Sequence, residues 1–190
     1  LATIEPQWFV CLELAPLRKL QRLQKLADEE MENQLQIHKI SFSSPDPSVE
    51  ALLHVFLPSR YVDHTHADSI LILTNQKKGE DLLREALGEK VGILPYLTPG
   101  IHLGKGVLEL YEPNPRIEAI VVIHHGIFTF GQDAKTSYER MIEYVSRAET
   151  FIEERTRRKV FGTPRLDLSS PKDFPSSVAR FNQAVRGACA

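Results

Sequence analysis

The apolar run at residues 117–123 constrains the fold most strongly. Six of its seven side chains are apolar, without the polar alternation of a strand that is exposed on one face. A run of this kind is typical of a strand buried on both faces of a sheet. Such a strand requires helices on both sides. Because predicted strands and helices alternate along the chain, the sequence favours an α/β fold.

Short apolar runs and turn residues predict the other elements of this fold. Further strands are expected at residues 8–14, 61–64, 91–97 and 127–130. Helical spacing is found at residues 17–23, after Asp28, and at 49–56, 79–87 and 102–111. The longest helix is predicted to begin after Asp133 as its N-cap, with an apolar stripe from Ala134 to Ile152. Residues 41–47 predict a loop, and propensity alone favours a strand at residues 67–73.

Composition excludes several function classes. The 190 residues have a net charge of −2 and no basic stripe, which argues against nucleic-acid binding. No apolar run reaches membrane-spanning length. With only two cysteines, near opposite ends, a reducing cytoplasmic setting is expected. The sequence begins without Met and ends abruptly, so we expect it to be part of a longer polypeptide.

Two histidines in one strand provide the first chemical signal. His64 and His66 are separated by one residue, and side chains at i and i+2 of a strand point to the same face. The pair is therefore placed to bind one metal ion, and catalytic zinc sites often use three such ligands. His124 and His125 lie where the apolar strand ends before Gly126. Either histidine is placed to provide a third ligand, although a histidine at a strand end is also common without metal.

A carboxylate and two hydroxyls precede the histidine pair. Glu50 lies at the start of a predicted helix, where the helix dipole alone favours an acid. Beside zinc, the same carboxylate would be suited to proton transfer. Ser44 and Ser48 approach this helix start, where they are placed to bind an anion or, for Ser48, to cap the helix. Motifs typical of cupins, zinc proteases of the His-Glu-x-x-His type and serine hydrolases are absent from the sequence.

Several of these segments together resemble the class II aldolase/adducin family. They are Pro-Ser-Val-Glu at 47–50, Val-Asp-His-Thr-His-Ala-Asp at 62–68, His-His-Gly-Ile-Phe-Thr-Phe-Gly at 124–131, and the helix with Tyr-Glu at 138–139 and Arg-Ala-Glu at 147–149. The order and spacing match over about residues 1–152. The sequence is most similar to the branch that includes the aldolase half of bifunctional rhamnulose-1-phosphate aldolase/dehydrogenase proteins.

This resemblance implies a three-layer α/β/α sandwich around a central mixed β-sheet, with a helix at residues 67–73. It implies that His64, His66 and His125 bind Zn²⁺ or another divalent transition metal, with His124 in a neighbouring role. Glu50 would be the catalytic acid/base, and Ser48 would bind the substrate phosphate. The family's glycine-rich phosphate loop is missing from this sequence, and its second serine position is Val49. A catalytic tyrosine from the C-terminal region cannot be assigned.

The function expected from the resemblance is retro-aldol cleavage of a sugar or sugar phosphate through a metal-stabilised enediolate. A ketose 1-phosphate, such as rhamnulose or fuculose 1-phosphate, is the expected substrate class. An epimerase, a dehydratase and an adducin-like interaction module without catalysis are the alternatives. We expect a homo-oligomer, a tetramer, with this domain at residues 1–155. Residues 156–190 are predicted to form an irregular extension with a short helix.

Overall fold

The computed structural model describes residues 5–156. A mixed sheet of four strands lies at the centre of this part of the chain, in the order β1-β4-β3-β2. Its strands are β1 Tyr61–Thr65, β2 Val91–Leu94, β3 Ala119–Val122 and β4 Gly126–Gly131. β4 pairs antiparallel with both β1 and β3, whereas β3 and β2 are parallel. The predicted extension at residues 156–190 and its short helix lie outside the described residues, except for residue 156.

Helices cover both faces of the sheet. They are α1 Leu14–Arg18, α2 Asp28–Ile37, α3 Ala51–Phe56, α4 Asp68–Thr74, α5 Gly79–Leu87, α6 Ile101–Tyr111 and α7 Ala134–Thr156. Short 3₁₀ helices occupy Pro6–Trp8 and Lys19–Arg22. In β3, Ala119 and Val121 pack with α4, α5 and α7, whereas Ile120 and Val122 pack with α3 and α6. The predicted sandwich around a mixed sheet is confirmed, since the apolar run is buried on both faces.

One prediction of local structure is wrong, the strand at residues 8–14. Residues 8–14 do not form a strand: only Leu12 makes an isolated bridge, and Leu14 begins α1. Trp8 and Phe9 are exposed, so no sheet face selects an extended conformation there. The strand propensity of residues 67–73 is overridden as well, because Ile70 and Leu73 pack on the sheet from α4. The helix implied by the resemblance is correct.

The long helix α7 begins as predicted, and Met141 and Ala148 of its predicted stripe are buried. Asp133 Oδ1 accepts a hydrogen bond from the backbone N–H of Thr136 at 2.8 Å, as an N-cap does. Tyr138, part of the predicted stripe, is exposed, and Tyr144 is buried instead. None of the helices in residues 5–156 has the length and apolar character that crossing a membrane requires.

We predict that the Tyr144 hydroxyl stabilises the packing of α7. It donates a hydrogen bond to Glu118 Oε2 at 2.9 Å, and Glu118 also pairs with Lys90 and Arg140. Burial and the Glu118 carboxylate raise the pKa of Tyr144. Tyr144→Phe should lower the free energy of unfolding by about 1.5–3 kcal/mol, the range for a hydrogen bond to a charged group. Urea titration measures this loss. Tyr138→Phe, on the exposed side of the same helix, is the matched control, and equal values for the two variants would contradict the prediction.

Candidate metal centre

Strand β1 and its continuation present the two histidines of the predicted pair. His64 pairs with Phe128 in the β1–β4 register, and His66 follows the strand end at Thr65. The two Nε2 atoms lie 2.9 Å apart. Ring nitrogens this close require a shared proton or a cation, because two lone pairs repel each other. The predicted convergence of His64 and His66 is therefore present in the structure.

The backbone selects which nitrogen of His64 faces the other histidines. Its Nδ1 lies 3.0 Å from the carbonyl oxygen of Ile127, so Nδ1–H donates there and Nε2 keeps its lone pair. Burial, chiefly, lowers the pKa of His64 to about 4. The nearby His66 and His125 also lower it, against the opposing effects of the Ile127 carbonyl and Glu50. His64 is thus neutral near pH 7, as a metal ligand must be.

His125 provides the third imidazole, from the turn between β3 and β4. Its ring stacks towards His64 with the ring centroids 5.2 Å apart, and only 9% of its side chain is exposed. Its Nε2 is buried and, among the described residues, makes no hydrogen bond of good geometry, although Glu50 Oε1 lies 2.8 Å away. A buried nitrogen without a hydrogen bond is costly unless a cation takes that place. His124 points elsewhere and contacts Asn75.

Glu50 brings a carboxylate to the three imidazoles. It is the residue immediately before α3, at the N-cap position, and its Oε2 lies 3.6 Å from His64 Nε2. One candidate ligand atom from each of Glu50, His64, His66 and His125 lies within 4.8 Å of all the others. Three imidazole nitrogens and one carboxylate oxygen are a donor set that Zn²⁺ accepts. The residues therefore fit a divalent metal ion such as Zn²⁺.

Ser48 holds Glu50 from the loop before α3. Its hydroxyl oxygen accepts a hydrogen bond from the backbone N–H of Glu50 at 3.2 Å. The side chain of Ser48 is exposed, and with Glu50 it borders a cavity of about 600 Å³. Trp8 and Phe9 form part of the apolar wall of this cavity. A small molecule that enters it would meet both the hydroxyl and the carboxylate. Ser44 instead bonds within its own loop, to the carbonyl of Ser41.

The sequence pattern that indicated His64 and His66 did not predict the contacts of two neighbouring residues, Phe128 and Gly126. The ring of Phe128 stacks on His64 with the centroids 3.8 Å apart and the planes within 7°. A Cβ on Gly126 would lie 2.5 Å from the carbonyl oxygen of Thr65 and 3.0 Å from ring atoms of His64 and His66. Only glycine therefore allows β4 to approach the pair this closely. In the sequence, Gly126 marks the end of the apolar strand, but nothing there indicates that it lies so close to Thr65 and the two histidines.

Comparison with known proteins identifies the family. The model of the class II aldolase and adducin N-terminal domain matches residues 15–152. This chain belongs to that family. In sequence, the domain is 33% identical over 189 residues to YuxG of Bacillus subtilis (strain 168), which is named an uncharacterized oxidoreductase. The match covers 99% of this chain but 27% of YuxG, so the chain spans about a quarter of that relative's length.

Solved structures share the fold of this class II aldolase domain. The N-terminal class II aldolase domain of a conserved protein from Thermoplasma acidophilum is 39% identical, with a TM-score of 0.73. That match covers 79% of this chain and 69% of the other. A sugar-phosphate aldolase from Thermotoga maritima is 20% identical, with a TM-score of 0.51 over 58% of this chain and 55% of its own. At that identity the second likeness concerns the fold alone.

Proposed function

We propose that the domain is a zinc-dependent lyase that cleaves a carbon–carbon bond of a sugar or sugar phosphate by a retro-aldol reaction. The observation that carries this function is the convergence of three imidazole nitrogens and the Glu50 carboxylate within 4.8 Å. His64, His66 and His125 would hold the metal. Membership of the class II aldolase and adducin family supports the reaction type. We propose a ketose 1-phosphate, such as rhamnulose or fuculose 1-phosphate, as the substrate.

Retro-aldol cleavage leaves negative charge on the oxygens of one product fragment. When bound, a divalent cation supplies the positive charge that stabilises those oxygens. Neutral imidazole ligands leave the charge of such a cation undiminished. His64 is suited to this role because the carbonyl of Ile127 holds its proton on Nδ1.

The proton that moves during cleavage is assigned to Glu50. Its two oxygens face His125 and His64, and 20% of its side chain is exposed. The carboxylate therefore lies at the boundary between the imidazoles and the cavity that Ser48 also lines. There it would deliver a proton to the carbon that the broken bond leaves on the enediolate fragment, while the hydroxyl that becomes the carbonyl of the other fragment loses its proton. Ser48, whose hydroxyl is exposed to the same cavity, would contact the substrate or its phosphate.

Product analysis tests the reaction. We expect purified protein to bind about one zinc per chain and to convert a ketose 1-phosphate into two shorter fragments. Mass spectrometry separates the alternatives, because an epimerase returns an isomer of equal mass and a dehydratase product is lighter by one water. Protein that binds no zinc and changes none of the sugars would contradict an enzyme and favour an adducin-like module. A sample stripped with chelator and refilled with zinc is the control. The cytoplasmic location and the homo-oligomer, a tetramer, stay predictions.

A further inference from the structure

The turn that carries His125 contains an unfavourable backbone conformation at the preceding residue. The N–H of His125 donates to the carbonyl oxygen of Val122 at 3.1 Å and closes the turn. The φ angle of His124 is +60°, the positive value recorded for a non-glycine residue in the part of the chain that the structure describes. Turns that need positive φ at this position ordinarily have glycine or asparagine there. A histidine at this point therefore needs an interaction that holds it.

That interaction is a hydrogen bond to Asn75. His124 Nδ1 lies 2.5 Å from Asn75 Oδ1, so its N–H donates to the amide oxygen. The side chain of His124 is exposed, and packing therefore does not force this contact. Within residues 5–156, the hydrogen bond to Asn75 therefore orients the ring.

Asn75 lies at the far end of the helix that follows the other two proposed ligands, His64 and His66. It caps the C-terminal end of α4, and its own N–H donates to Leu71 at 3.0 Å. At the other end, α4 begins at Asp68, two residues after His66. Helix α4 is thus joined by the chain to the His64–His66 pair and by one hydrogen bond to the turn of His125. The helix packs on the sheet through Ile70 and Leu73, so both of its ends are held.

We propose, on the basis of the metal site assigned above, that Asn75 and His124 are positioning residues for His125. Their hydrogen bond holds the φ angle of His124 at its positive value, and thereby the path of the turn that directs His125 towards His64 and His66. Without the bond, His124 is free to relax to negative φ. That change alters the path of the turn and moves the His125 ring away from the other two nitrogens. Neither residue belongs to the cluster of candidate ligand atoms that Glu50, His64, His66 and His125 form.

Asn75→Ala tests this role through metal binding. Zinc affinity, measured by competition with a chromophoric chelator, should fall about 10- to 100-fold, as it does when groups that orient metal ligands are removed. The visible absorption spectrum of the cobalt-substituted protein should change too, because it reports ligand geometry independently of activity. Gln76→Ala is the matched control. Its amide bonds back to Ile72 within the same helix end, so its loss perturbs α4 without releasing the turn.

His124→Gly provides the second arm of the experiment, since glycine adopts positive φ without a supporting bond. In a His124→Gly background, Asn75→Ala should leave zinc affinity and the cobalt spectrum unchanged. An equal loss in both backgrounds would overturn the positioning role, because Asn75 would then act through α4 alone. Wild-type affinity in Asn75→Ala would overturn it as well. If the wild-type protein itself binds no zinc, the proposed function fails. This result differs from the two outcomes above, in which the wild-type protein binds zinc.

Discussion

Replacing Glu50 with glutamine is expected to reduce the rate of carbon–carbon cleavage by about 10²–10⁴ while zinc stays bound, because general acid–base groups contribute this much. Glutamine keeps the shape of the side chain and the backbone N–H that donates to Ser48. It removes the charge and the proton acceptor that face His125 and His64. The three imidazoles remain as ligands. The loss should therefore fall on kcat, with the metal content of the purified protein unchanged.

Steady-state kinetics and metal analysis on the same preparation measure both quantities. Glu109→Gln, an exposed acid on α6, is the matched control for the loss of one negative charge. Full activity in Glu50→Gln would contradict the assignment of the proton to this residue. Loss of both zinc and activity would also contradict the prediction, because Glu50 would then be needed as a metal ligand.

The histidine pair was predictable because it depends only on local geometry. Alternation along β1 places His64 and residue 66 on the same side, and the structure brings their Nε2 atoms to 2.9 Å. The sandwich around the sheet was predictable for a similar reason, since the apolar run of β3 needs cover on both faces. Both features follow from residues that are neighbours in the sequence.

Sequence spacing did not determine which histidine provides the third imidazole. His124 and His125 are adjacent, and the choice between them depends on a backbone angle in the turn. The φ of +60° at His124 directs its ring to Asn75, while His125 turns towards His64. No periodic pattern encodes this angle. The resemblance to the family indicated His125, and the geometry of the cluster agrees with it.

Glu50 and Phe128 reach the site through tertiary packing. Glu50 precedes α3, which packs through Leu53 on the face of the sheet that includes Phe128. Neither the 13 residues between Glu50 and His64 nor the apolar run of β4 predicts that the side chains of Glu50 and Phe128 both meet the His64 ring. The strand predicted at residues 8–14 is absent for the same reason, because tertiary packing decides where these residues lie. Its apolar residues border the cavity beside Glu50 instead of entering the sheet.

His66 is the proposed ligand whose removal separates metal binding from folding most clearly. His64 stacks on Phe128 and bonds to the Ile127 carbonyl, so its truncation would open a cavity and disturb β4 as well. His66 lies beyond the strand end, and its side chain is exposed. Its ring meets His64 and His125 edge-on, at centroid distances of 4.7 and 4.9 Å. Truncation there removes a donor without removing core volume.

We therefore expect His66→Ala to lower zinc affinity by more than roughly 100-fold. Removal of a group that only orients a metal ligand lowers affinity by about 100-fold at most, and loss of a ligand itself should cost more. Cleavage activity should fall in proportion to zinc occupancy, while the urea midpoint of the metal-free protein stays within error of wild type. Chelator competition and urea titration measure the two quantities. His102→Ala, an exposed histidine on α6, is the matched control. A variant that binds zinc as tightly as wild type would exclude His66 as a ligand. Excess zinc should restore part of the activity in His66→Ala but none in Glu50→Gln, because only the first lacks a metal ligand.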